Sequence, residues 1–213
     1  MRLILARHGE TDMNKLGRIQ GISDLALNDT GERQAEALAR ALENEKVEAI
    51  YTSPLKRARD TAHAIGRCHQ VEIIPLFGLR ELDAGEVDGL TYEEMRIHYG
   101  DFLEKWIKDC TSVRVPGGCT LHELQDNAWT AVQEIIERQN QQIAQGEVSG
   151  KGVVIAVTHY FPILSIICKA LGLELSECRR MRLNLASMCT LDFNPPWTVL
   201  ASLNETCHLQ HKF

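Results

Sequence analysis

Arg7 and His8, continued by Gly9-Glu10-Thr11, come directly after a short apolar run, Leu3 to Ala6. Ser53, Pro54 and Arg57 follow a second run from Val47 to Thr52, Glu81 lies beyond a third from Val71 to Pro75, and His159 comes just after a fourth from Gly152 to Val157. In open α/β sheets ligands bind beyond the carboxyl ends of the strands. If the four runs are neighbouring strands, two arginines, two histidines and one carboxylate converge on one crevice. That set is short of metal ligands and well suited to a phosphate ester.

Each side chain has a task in such chemistry. Guanidinium groups grip phosphate oxygens through paired, charge-assisted hydrogen bonds and offset the charge that gathers during transfer, which suits Arg7 and Arg57. A neutral imidazole is a competent nucleophile, and a covalent intermediate divides one difficult displacement into two easier ones, which suits His8. The departing alkoxide needs a proton, and Glu81, kept partly neutral by burial and nearby negative charge, can supply it and then activate water. Glu86 and Asp83 compete with Glu81 for that role. His159 can donate to the phosphoryl oxygens. Thr11, Asn14 and Gln20 add neutral donors on the loop after the first strand, where Gly21 permits close approach of backbone to ligand. The scheme requires no metal and no cofactor.

The elements that must position these groups can be read from periodicity. Ala35, Leu38, Ala39 and Leu42 keep the spacing of a helix that buries one stripe, with Asp29 or Thr30 placed to cap it. Ser53 and Pro54 offer an N-cap and a preset first position for a helix that turns Ala58, Ala62 and Ile65 inward. The stretch from Thr91 to about Gln145 is mostly helical and is broken at Pro116-Gly117-Gly118, so it is the candidate cap. A helix is expected from about Phe161 to Leu171, and the tail from Ala186 to Leu203 alternates as strands do. Strands alternating with helices predict a three-layer α/β/α fold with a mainly parallel central sheet and a small helical cap insertion at about 91–145 in a single domain, 1–213.

Composition narrows the partners. With 44% hydrophobic residues the chain can bury a sizeable core, and a net charge of −6 argues against nucleic acid and anionic membrane surfaces. The seven cysteines, Cys68, Cys110, Cys119, Cys168, Cys178, Cys189 and Cys207, show no zinc-like spacing, and free thiols fit a cytoplasmic location. No signal peptide precedes the first strand, and no apolar stretch is long enough to span a bilayer. The expected partners are a small phosphorylated substrate and inorganic phosphate as product. The oligomeric state is left open, a homodimer included.

Leu5-Ala6-Arg7-His8-Gly9-Glu10-Thr11-x-x-Asn14, followed by Arg18-Ile19-Gln20-Gly21, resembles the signature of the histidine phosphatase superfamily in its phosphoglycerate-mutase-like branch. Thr52-Ser53-Pro54-Leu55-Lys56-Arg57-Ala58 resembles the family's second motif, with Arg57 at the expected offset. Leu79-Arg80-Glu81-Leu82-Asp83-x-Gly85-x-x-x-Gly89 is similar to its acid-bearing loop, Pro116-Gly117-Gly118 to its cap turn, and Val157-Thr158-His159 to its last catalytic segment. Asn204-x-Thr206-Cys207-His208-Leu209 looks like the tail of the smaller phosphatases. The resemblance implies a phosphohistidine at His8, phosphate binding by Arg7, Asn14, Arg57 and His159, proton transfer by Glu81, and a substrate contact from His208; Tyr160, which departs from the family, puts a bulky ring beside the phosphate and is a further expected substrate contact.

The sequence also departs from the family. Tyr160 and Phe161 stand where glycine often follows the last histidine, Met13 where tryptophan is common, and Cys119 where glutamate is common. Ala84 stands where an aromatic residue is frequent, or a histidine in metal-independent phosphoserine phosphatases, which counts against phosphoserine as substrate. The expected substrates are alpha-ribazole 5′-phosphate, phosphoserine despite Ala84, fructose 2,6-bisphosphate or a broad range. Mutase-type transfer and a non-catalytic phosphate-binding scaffold are the rival readings. Other residues have ordinary explanations. Arg59, Arg179, Arg180 and Arg182 read as solvated surface, and Met95, Trp106 and Trp129 as packing. Cys207, His208 and His211 form one isolated cluster with no second pair to complete a metal site.

Overall fold

The computed structural model describes residues 1–209. In chain order these form β1 (Arg2–Arg7), α1 (Asp12–Lys15), α2 (Asp29–Leu42), β2 (Val47–Thr52), α3 (Lys56–Gly66), β3 (Ile73–Pro75), α4 (Tyr92–His98), α5 (Gly100–Lys108), α6 (Leu121–Ala144), β4 (Val153–Thr158), α7 (Tyr160–Ala170), β5 (Met188–Asn194) and β6 (Trp197–Glu205). The strands make one six-stranded sheet in the order β3-β2-β4-β1-β5-β6. From β3 to β1 all neighbours are parallel, while β5 runs antiparallel to β1, and β6 to β5. The α/β class and the mainly parallel sheet are as the alternation of elements predicts.

Alternation within the strands sets the layers. Leu3 and Leu5 of β1 face one core with α6 and α7, whereas Ile4 and Ala6 face a second core with α2 and α3. Every residue of β4 is buried, as a strand covered on both faces requires. Because β1, β2 and β4 are parallel neighbours, their carboxyl ends deliver Arg7, the Ser53-to-Arg57 segment and His159 to the same edge of the sheet.

Within 91–145, α4 and α5 are short and α6 runs for 24 residues. The last of these is no loose appendage: Leu121, Leu124, Ala128, Ala131, Val132 and Ile135 join the main core beside α7. The turn at Pro116-Gly117-Gly118 lies backbone to backbone against the loop after Glu81. Pro116 O accepts from Glu86 N at 2.8 Å, and Asp83 O accepts from Cys119 N at 3.2 Å. A Cβ on Gly118 would come within 2.1 Å of Asp83 O, so only glycine allows this approach.

Three local expectations need correction. The N-cap of α2 is Asn28, not Asp29 or Thr30: Asn28 has extended backbone and its side chain accepts from Gly31 N at 2.9 Å. Ser53 does not cap α3 and Pro54 is not its first residue. The helix starts at Lys56 behind Leu55, which gives no side-chain cap, and Asp24 from a distant loop accepts from Lys56 N instead. The Ser53 hydroxyl is engaged with Leu55 N and with His159. Finally, β3 begins at Ile73 and not Val71.

Candidate active site

His8 is 3% exposed at the end of β1, and its Nδ1 lies 2.7 Å from Gly9 O. A carbonyl only accepts, so Nδ1 carries the ring proton and Nε2 keeps its lone pair. Arg57 Nε points at that Nε2 from 3.3 Å. The ring of His159 stands 5.0 Å away, centroid to centroid, tilted by 58°. His159 is fully buried, with Nε2 2.8 Å from Ser53 Oγ and Nδ1 without a partner among the described residues.

The two arginines are held by carbonyls. Arg57 donates to Ser23 O at 2.8 Å and to Gly21 O at 2.7 Å, and those two residues are in turn gripped by Asp88, whose carboxylate accepts from Gly21 N, Ser23 N and Ser23 Oγ. Arg7 donates to Leu183 O at 2.8 Å, leaves its buried Nε without a partner among the described residues, and lies 5.1 Å over the Tyr160 ring. Glu81 accepts from Leu82 N at 2.8 Å and from Tyr160 N at 3.1 Å. Thr11 caps α1 in a reciprocal pair with Asn14, and its hydroxyl donates to Gln20 Oε1 at 2.7 Å, while Gln20 Nε2 is buried with no partner among the described residues.

A cavity of about 250 Å³ opens onto this cluster. Its lining includes Arg7, His8, Asn14, Gln20, Gly21, Glu81 and Tyr160, together with Arg18, Ile19, Leu82, Ala84 and Phe161. A larger cavity of about 490 Å³ beside α6 shares Glu81 but lacks Arg7 and His8, whereas the smaller one is lined by all three, with Arg57 and His159 packed against His8 behind its wall, so the chemistry belongs to the smaller one. His208 does not line it. That ring lies behind the site, bonded to Ala186 O at 2.8 Å, and Ala186 N donates to His8 O. His211 lies outside the described residues. Among those residues no group of three or more His, Cys, Asp or Glu is arranged to hold a metal ion.

Burial, then the cations of Arg57 and Arg7, push the His8 pKa well below its usual 6.5. His159 is pushed the same way by burial, Arg57, His8 and Arg7. Both rings are therefore neutral near pH 7. Burial raises the Glu81 carboxyl, against the pull of Leu82 N, the two arginines and Tyr160 N. Arg57 falls to about 10, mainly through burial, and stays charged.

The five residues singled out after the strands thus meet in one place. Sequence reasoning missed Arg18, Asp88 and Ser23, and it assigned Ser53 to a helix cap. The carbonyls of Gly9, Gly21, Ser23 and Leu183 carry no signal in residue type, because every residue has one.

Comparison with known proteins agrees with this geometry. Residues 3–206 match the family model described as histidine phosphatase superfamily (branch 1). Phosphoserine phosphatase 1 of Hydrogenobacter thermophilus is 31% identical over 209 residues, covering 98% of this chain and 94% of that protein. The mycobacterial glucosyl-3-phosphoglycerate phosphatase solved with VO3 superposes with a TM-score of 0.84 at 26% identity, covering 96% of this chain and 99% of that one. The Entamoeba histolytica phosphoserine phosphatase solved with 3-phosphoglyceric acid has a TM-score of 0.77 at 28% identity, with 98% of both chains covered. The chain belongs to branch 1 of the histidine phosphatase superfamily.

Proposed function

We propose that the protein is a phosphomonoesterase that hydrolyses a small phosphorylated metabolite through a phosphohistidine on His8, without a metal ion. The observation that carries this is the His8 tautomer: Nδ1 donates to Gly9 O, so the Nε2 lone pair faces Arg57 in a pocket that keeps the ring neutral. His8 Nε2 attacks phosphorus while the ester P–O bond breaks, and Glu81, its pKa raised, gives its proton to the leaving oxygen. Water then attacks the phosphohistidine, Glu81 takes a proton back, and inorganic phosphate leaves with His8 regenerated. Arg7 and Arg57 neutralise the phosphoryl oxygens throughout, with Asn14 and Gln20 Nε2 as neutral donors.

The size and lining of the cavity support a small substrate. About 250 Å³ suits a phosphate with a small organic group, and Glu94 of α4, at the start of the proposed cap at about 91–145, pairs with Arg18 at the cavity wall. The names of the relatives point to phosphorylated hydroxy acids and phosphoserine, while Ala84, which lines the cavity, counts against phosphoserine. Release of phosphate from p-nitrophenyl phosphate in the presence of EDTA is the direct test. The wild-type protein is expected to turn over and to form an acid-labile phosphoenzyme, while His8→Ala loses both. Unchanged labelling in His8→Ala removes His8 from its role, and phosphate binding without release by the wild type favours a scaffold. Incubation with 3-phosphoglycerate and the 2,3-bisphosphate primer reads out mutase transfer.

A further inference from the structure

Ser53 and His159 are both fully buried, with Ser53 Oγ 2.8 Å from His159 Nε2. Which of the two donates follows from their other partners. Leu55 N–H points at the same Ser53 oxygen from 3.3 Å, so that oxygen already accepts. Were the imidazole also to donate, from Nε2, the hydroxyl proton would be left in a dry interior with no acceptor among the described residues. A buried donor without a partner is costly, so the hydroxyl donates and Nε2 accepts. A neutral imidazole that accepts at one nitrogen carries its proton on the other. Here that other is Nδ1, buried, unpartnered, and on a ring 5.0 Å from His8.

We infer that Ser53 is a positioning residue that locks His159 in the Nδ1-protonated tautomer and so presents a neutral hydrogen-bond donor to the phosphoryl group at His8. The opposite tautomer would turn a lone pair towards phosphoryl oxygens and repel them. Burial and the neighbouring arginines keep the ring neutral, so the tautomer and not the charge decides what it offers. The role rests on the phosphatase reading, whereas the tautomer can be observed without any turnover.

The test is a long-range ¹H–¹⁵N spectrum of protein labelled at histidine, assigned with His159→Gln, beside kinetics of Ser53→Ala. In the wild type the His159 signal is expected to show a protonated Nδ1 and an unprotonated Nε2, and Ser53→Ala is expected to shift the ring towards the other form. Turnover in Ser53→Ala is expected to fall about 10-fold or more in kcat, as for a donor lost from the transition state, with a smaller change in KM. On a His159→Ala background the same substitution should cost little. A wild-type ring protonated at Nε2, or an equal loss of kcat from Ser53→Ala with and without His159, overturns the inference and leaves the phosphatase reading standing. Failure of the wild-type protein to release phosphate overturns that reading instead, whatever the spectrum shows. Thermal melts of each variant separate loss of folded protein from loss of turnover.

Discussion

Glu81 illustrates how one carboxyl can serve as acid and then as base. Desolvation favours its protonated form, while two backbone N–H groups and two arginines favour the carboxylate, so the group sits between opposing pulls. A phosphate ester entering between Glu81 and the arginines adds negative charge and tips the balance towards the acid. Glu81→Gln keeps the shape and the acceptor for Leu82 N but has no transferable proton. It is expected to slow hydrolysis of alkyl phosphates by roughly 10²- to 10⁴-fold and of p-nitrophenyl phosphate far less, because the activated leaving group needs little help. Steady-state kinetics on both esters check this, and equal slowing of the two would assign Glu81 to positioning alone. At this same scale the reacting residues were legible, since arginine, histidine and glutamate announce themselves. Asp88 was not: its hydrogen bonds reach Arg57 through Gly21 and Ser23, whose carbonyls the guanidinium holds, a route that residue type does not encode.

At the scale of elements, the loop that bears His8 is seated on the start of α2. A Cβ on Gly31 would come within 2.1 Å of Glu10 O, and one on Gly9 within 2.5 Å of Gly31 O. Glu10 also accepts from Asn28 N and donates its own N–H to Gln34, which ties the loop to the helix over two turns. Helix propensity alone would favour Gly31→Ala by about 1 kcal/mol. The backbone contact reverses that sign, and a destabilisation of about 1–3 kcal/mol is expected, as for overpacking elsewhere. Urea denaturation of wild type and Gly31→Ala decides between them, and a more stable variant would show that the loop can move away freely. The helix itself was readable from its apolar stripe, but its first residue was not. Asn28, Asp29 and Thr30 are all capable caps, and only the observed backbone, extended at Asn28, selects among them.

For the whole molecule, sealing two imidazoles inside has a consequence for stability. An unfolded histidine titrates near 6.5, and the folded pKa values of His8 and His159 lie well below that. As pH falls through about 6.5 the unfolded chain takes up protons that the folded one refuses, so stability is full above that pH and declines below it. His208, lowered chiefly by burial, adds to the decline. Glu81 works the other way, since its raised pKa lets the folded state hold a proton above the usual carboxyl range. Urea midpoints measured from pH 7.5 to 5.5 should fall in the wild type and fall less in His159→Gln, which removes one of the depressed rings. Parallel slopes for the two proteins would show that His159 is not kept neutral by the fold.

What the chain specified unaided was the kind of layers and the place of the reacting groups. Period-two and period-3.6 burial is a local property, and parallel neighbours must end on the same edge, so Arg7, Arg57 and His159 could be placed together before any coordinates. Tertiary structure alone decided which nitrogen of each ring bears the proton, which carbonyls cup Arg57, that Ser53 serves His159 and not α3, and that His208 backs the site without lining it. Those are questions of distance and direction between segments far apart in sequence. Three of these hydrogen bonds run to backbone carbonyls common to every residue, and the fourth joins Ser53 and His159 across 106 positions of chain, so residue type alone could not have foretold them.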